Sequence, residues 1–304
     1  MTRPTRTLTA VVTGIVALAG ASTSTSAPRT ERLAFGSDVQ GNVDVYTVRT
    51  DGRGLRRLTD SPAFDACARY SPDGQWIAWC SGVGAVTEIW VMRADGHRKS
   101  QLTRLGGRMT FPDFSPDGRT VAFSGRLAGV SNNNEIYATS TQGDGLIQLT
   151  DDPAEDSWPA YSPDGRRIAF MSSRSGVPQI WVIDADGSNP TQVTTDPIAK
   201  GQLPRWSPDG KRIAYPTADP TVGEDIWVIE VDGAHPTRLT SGRGREFGPD
   251  WSPDGKQLAY VDSSNPTQRT VMIMNADGTG ARPVKPLGNQ FVPSWQPTRS
   301  HFGR

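Results

Sequence analysis

Five copies of Ser-Pro-Asp-Gly, beginning at Ser71, Ser115, Ser162, Ser207 and Ser252, stand 44, 47, 45 and 45 residues apart. A repeat of this length holding several short strands is a β-propeller blade, because one four-stranded sheet with its turns takes about 40–50 residues. The unit from Tyr161 to Thr194 shows the order: an aromatic, the Ser-Pro-Asp-Gly turn, a strand at Arg167-Ile168-Ala169-Phe170, and a second at Gln179 to Ile183. An Asp186-Gly187 turn then leads to a short outer strand ending at Thr194. Pro at the second turn position presets φ and Gly at the fourth accepts φ > 0, so each copy closes a tight hairpin. The high content of Gly (32) and Pro (24) suits a chain of short strands and turns.

Six middle strands and six Asp-Gly or Gln-Gly turns stand against five Ser-Pro-Asp-Gly turns. The chain enters at Arg32-Leu33-Ala34-Phe35, a second strand without a first, and closes on Val292 to Pro297, a first strand without a second. Joined, these halves complete a sixth unit, and the joining removes the unpaired edges an open ring would leave. The expected fold is therefore all-β: a six-bladed β-propeller of four-stranded antiparallel blades, closed by a C-terminal strand that completes the N-terminal blade. Blade 1 is divided between 32–59 and 290–297, and blades 2–6 begin near 65, 109, 156, 201 and 246.

Residues 1–27 place Arg3 and Arg6 ahead of an apolar stretch from Leu8 to Ala21 and then small residues, the pattern of a secretory signal peptide. The stretch is shorter than the roughly 20 residues that span hydrocarbon, so a secreted or periplasmic location without stable membrane insertion is expected, with the propeller occupying 28–304. Lys+Arg and Asp+Glu balance at 32 each, without the basic excess that nucleic acid demands. Cys67 and Cys80 flank one Ser-Pro-Asp-Gly turn, so they are a candidate disulfide if the hairpin register sets them opposite each other. The three histidines lie far apart along the chain and Asp184 to Asn189 lacks the distal acid of a calcium loop, so no metal or cofactor is expected.

The unit WSPDG, then RIAF, a loop, IWVID, ADGS and a terminal Leu-Thr or Val-Thr, resembles the TolB-type propeller repeat, also called the PD-type or WD-repeat-like repeat. The resemblance runs over nearly all of the chain after the expected leader. It implies a six-bladed ring and is unspecific for activity, since this propeller is grafted onto many functions. The family's namesake has an extra N-terminal domain and lipoprotein and colicin partners in the periplasm. The few residues ahead of Arg32 leave that domain no room, so an identical role is not expected.

Tight turns crowd one face of such a ring, and the irregular loops crowd the other, where binding is expected. The candidates near its channel mouth are Asp65, Asp156, Trp158, Gln202, Arg205, Arg245, Glu246, Asp250 and Phe291. No catalytic residue is assigned. The expected activity is binding of a protein, peptide or cell-envelope glycan. Two alternatives stand beside it: a polysaccharide lyase or hydrolase using Asp156 and Glu246, and a structural or oligomerising domain without a small ligand.

Overall fold

A computed structural model describes residues 31–129, 132–200, 202–217, 223–242, 244–285 and 287–297. The expected signal peptide lies outside them. The first sheet contains β1 (Arg32–Ser37), β2 (Asp44–Arg49) and β3 (Arg56–Arg57), and its fourth strand is β24 (Gln290–Trp295), paired antiparallel with β1. Leu33 faces Trp295 and Ser37 faces Gln290, so the tail completes the opening sheet.

Three further four-stranded sheets follow the same order. They are β12 (Asp156–Tyr161) to β15 (Thr191–Gln192), β16 (Arg205–Trp206) to β19 (Thr237–Arg238), and β20 (Glu246–Trp251) to β23 (Arg282–Pro283). The remaining eight strands form one sheet of two antiparallel quartets, β4 (Phe64–Tyr70), β5 (Trp76–Val83), β6 (Val86–Arg93) and β7 (Ser100–Gln101), then β8 (Arg108–Phe114), β9 (Thr120–Arg126), β10 (Glu135–Ser140) and β11 (Ile147–Gln148). A single parallel bridge, Thr87 with Arg108, joins the quartets. The innermost strands β24, β4, β8, β12, β16 and β20 pack on one another in that order, and β20 returns to β24.

Burial on both faces explains the packing. In β9, Val121, Ala122 and Phe123 are fully buried because both faces of an inner strand lie against neighbouring sheets. Each Ser-Pro-Asp-Gly turn is internally wired: Ser162 Oγ donates to Asp164 Oδ1 (2.6 Å) and accepts from Arg167 N (3.0 Å), while Asp164 Oδ1 also accepts from Arg166 N (3.1 Å). The Ser162 hydroxyl and the Arg166 amide hold the Asp164 carboxyl below its ordinary range, against the opposing effect of burial. Five copies of this network account for the recurrent aspartates as structural residues.

A second repeated device sits at the opposite ends of the strands. Thr59, Thr103, Thr150 and Thr194 donate through Oγ1 to Asp44, Glu88, Glu135 and Gln179, and each accepts the amide one residue further on, as Val45 N to Thr59 Oγ1 at 2.9 Å. Glu135 is 3 % exposed and faces Asp156 of the next sheet; burial, reinforced by the Asp156 charge, pushes its carboxyl up to about 7. A raised carboxyl favours the protonated folded state, so its contribution is full below about pH 4.5 and is lost as pH rises through about 7. Glu135→Gln is therefore expected to flatten the fall of the unfolding midpoint between pH 5 and 8 by the equivalent of about 1–2 kcal/mol. Thermal scans across that range check it; an unchanged slope would show that the seam does not titrate there.

Candidate functional site

Bulges in the inner strands β4, β8, β12 and β20 decide what reaches the channel. In β4, Ala66 pairs with Cys80 but Arg69 pairs with Ala78, so one extra residue is inserted. The same slip occurs between Thr110 and Asp113, Ser157 and Ala160, and Phe247 and Asp250. At these bulges Cys67, Phe111 and Trp158 adopt φ of +57°, +52° and +62°, and Leu203 at the corresponding place has +70°. Left-handed backbone costs a non-glycine residue about 1 kcal/mol or more. Gly248, at the same place in β20, takes +63° without that cost.

The extra residue reverses the side on which everything before it lies. Phe64, Ala66, Arg108, Thr110, Arg245 and Phe247 consequently line a cavity of about 480 Å³ at the loop-bearing mouth, together with Cys67, Phe111, Leu203 and Phe291. Asp65, Asp156 and Glu246, expected at that mouth, lie on the other side of their strands, buried between sheets. Asp65 accepts from Trp79 Nε1 (3.2 Å) and Ser61 Oγ (3.1 Å), and Asp156 accepts from Arg174 Nη2 (2.6 Å). Glu246 lies against Asp225, which is itself ion-paired to Arg238 at 2.7 Å; burial, with the Asp225 and Asp262 charges, pushes the Glu246 carboxyl up. Asp156 and Glu246 thus occupy separate seams and do not converge on one ligand.

Three of the expected mouth residues do line the cavity: Gln202, Arg245 and Phe291. Trp158 meets the cavity wall through Phe111, edge to face with ring centres 5.9 Å apart. Arg205 and Asp250 lie deeper, in a charged layer across the channel. Arg69 donates through Nε to Asp113 (2.6 Å) and through Nη1 to Asp250, carboxylates from two strands on separate sheets. Arg205 Nε approaches Asp250 at 3.7 Å, and its Nη1 donates to Pro204 O at 3.2 Å. Arg205 Nε has no hydrogen-bond partner among the described residues, and burial with the nearby Arg69 charge pulls its guanidinium down to about 10. Beyond this layer a second cavity of about 290 Å³ is lined by Pro72, Pro116, Pro163, Pro208, Pro253 and Pro297 with the aromatic that precedes each turn.

The mouth is basic and aromatic together. Arg245 is paired with Glu224 at 2.6 Å, whereas Arg108, Arg126 and Arg269 have no ion pair among the described residues. Arg269 lies over Phe247 and Phe291 at 5.9 and 5.3 Å from their ring centres. Phe64 is exposed and meets Phe291 edge to face at 6.1 Å. Reading the sequence missed Phe64, Arg108, Phe111, Arg126, Leu203, Phe247 and Arg269; the usable signal was the position four residues before each Ser-Pro-Asp-Gly, where the bulge recurs. The acidic run from Asp151 to Asp156 is partly consumed internally, since Asp152 Oδ1 accepts from Ala154 N (2.9 Å) and Glu155 Oε1 from Ser157 Oγ (2.8 Å).

The hairpin register does not oppose Cys67 to Cys80, since Cys80 faces Ala66, and both are free thiols in this structure. The bulge brings them together instead, with the sulfurs 2.7 Å apart. Among the described residues no group of three or more His, Cys, Asp or Glu is placed to hold a metal ion, and no helix is long and apolar enough to cross a membrane.

The family model of the TolB beta propeller domain matches residues 7–129 and 97–216. TolB from Acinetobacter baumannii is similar in structure at 23% identity and a TM-score of 0.77, over 88% of this chain and 67% of that one. A protein described as TolB from Agrobacterium tumefaciens is similar at 21% identity and a TM-score of 0.70, over 88% of this chain and 99% of that one. A chain of the nidogen/laminin complex shares the fold at 11% identity and a TM-score of 0.70, over 88% of this chain and 98% of that one.

Proposed function

Because the chain belongs to the TolB beta propeller domain family, we propose that it is an exported, six-bladed binding module that takes an acidic, partly apolar peptide segment of another protein into its mouth cavity. The count of six rests on the cyclic packing of the innermost strands and on reading the eight-stranded sheet as two blades bridged at one residue pair. Export rests on the leader-like residues 1–27 and on the family resemblance, which also suits a periplasmic site.

The observation that carries the ligand class is the set of three arginines without ion pairs among the described residues, around a wall of phenylalanines. Carboxylates satisfy guanidinium groups through charge-assisted hydrogen bonds. Apolar side chains of a peptide would fill the space between Phe64, Phe111, Phe247 and Phe291. A neutral glycan would leave the charges unmatched, so a peptide is the better fit. The opposite end is a poorer candidate because its prolines and aromatics belong to the repeated turns that build every blade.

Binding of fluorescein-labelled peptides by anisotropy tests this reading. A peptide alternating Glu with Leu or Phe should bind, and its affinity should fall on adding salt. Arg108→Ala combined with Arg269→Ala should weaken it roughly tenfold or more, since each charge-assisted contact contributes about 1.5–3 kcal/mol. Equal binding of an uncharged peptide of the same apolar content, or undiminished binding by the double variant, would overturn it.

A further inference from the structure

Cys80 stands in the middle of β5, 1 % exposed and packed with Ala66, Ile89 and Met109. Its thiol is directed at Cys67 Sγ (2.7 Å) and Ala66 O (3.3 Å). Cys67 is half-buried, occupies the left-handed position of the bulge and forms part of the cavity wall. The pair is therefore asymmetric: both residues border the cavity, but Cys67 is half-buried whereas Cys80 is almost wholly enclosed. Charge sharpens the difference. Burial, together with Cys67, pushes the Cys80 thiol up. A thiolate is the attacking species in exchange, so the first attack does not fall to Cys80.

We propose that Cys67 and Cys80 form a thiol–disulfide exchange site in the wall of the mouth cavity, with a small disulfide of the glutathione type as oxidant and Cys67 as the sulfur that meets it. The Cys67 thiolate attacks one sulfur of the small disulfide, forming a Cys67 mixed disulfide and expelling the other half as a thiolate. Cys80 then attacks Cys67 Sγ, breaking the mixed bond; its proton passes to the departing thiolate. Two protein thiols and one small disulfide thus become one protein disulfide and two small thiols, with two electrons passed to the oxidant. The left-handed backbone at Cys67 supports the geometry, since a regular strand would set Cys80 against Ala66 alone. This proposal is independent of the peptide reading.

The full chain, reduced and then treated with oxidised glutathione under native conditions, is analysed by intact mass. The wild type should lose two hydrogens and retain no glutathione. Cys80→Ser should hold one glutathionyl group on Cys67, and Cys67→Ser should stay unmodified until denatured. Glutathione carried equally by both variants would overturn the assignment, and so would a wild type that accumulates two adducts or stays fully reduced. If a variant fails to fold, alkylation of the reduced wild type with iodoacetamide followed by peptide mapping decides. Cys67 should react roughly tenfold or more faster than Cys80, and equal rates would refute the order of attack.

Discussion

Trp295→Ala should lower the thermal unfolding midpoint by roughly 10 °C, from a loss of about 3–5 kcal/mol for truncating a buried tryptophan. Trp295 is 3 % exposed and packs with Leu33, Phe35 and Val261. Its amide donates to Asp250 Oδ2 at 2.7 Å, and its indole Nε1 donates to Asp250 O at 3.0 Å. The same indole link recurs inside the ring, where Trp206 Nε1 donates to Ala160 O (3.1 Å) and Trp251 Nε1 to Arg205 O (3.2 Å). Each such link fastens one first strand to its predecessor. The link at Trp295 also closes the circle, because β24 is the only strand of the first sheet that comes from the far end of the described chain. The control is Trp76→Ala: that side chain is half-buried, with Arg93 over its ring at 5.8 Å, and its loss should cost much less. Differential scanning calorimetry compares the two. Equal shifts would show that closure contributes nothing beyond ordinary packing.

Arg69→Met should cost about 3–5 kcal/mol, the usual penalty for removing one partner of a buried ion pair. Burial opposes the Arg69 charge, but Asp250 and Asp113 outweigh it and raise the guanidinium above its ordinary value. Without Arg69, Asp113 keeps the Tyr161 amide (2.8 Å) and Asp250 keeps the Trp295 amide (2.7 Å), while Arg205 at 3.7 Å is the remaining nearby cation. Adding Asp113→Asn should recover part of the loss, because one uncompensated charge then disappears. Urea titrations of the single and double variants measure the coupling. If the double variant is as unstable as the sum of two independent losses, the charged layer does not act as a unit.

The repeated turns and the strand order were readable because each unit states them again, and a pattern found five times tolerates local irregularity. Closure of the first sheet by the tail was readable for the same reason, from a strand lacking its partner at each end. The mouth was only partly readable. Asp65, Arg69 and Cys67 are separated by even numbers of residues, so regular alternation would put all three on one side of β4. One inserted residue cancels that inference for Asp65, and equally for Asp156 and Glu246. A bulge has little compositional signature when Cys, Phe, Trp and Leu occupy its left-handed position. Arg108 and Arg126 are cross-strand partners on the hairpin of β8 and β9, and only the curvature of the ring brings Arg269, distant in sequence, to the same cavity.

The layer formed by Arg69, Asp113, Arg205 and Asp250 makes the mouth a blind well rather than a tunnel. Arg69 holds carboxylates from strands on opposite parts of the ring, so its guanidinium lies across the axis and bars it. Whatever enters must leave by the way it came. A guest would have to offer a free end or a folded-back loop, since a strand passed through from rim to rim has no exit.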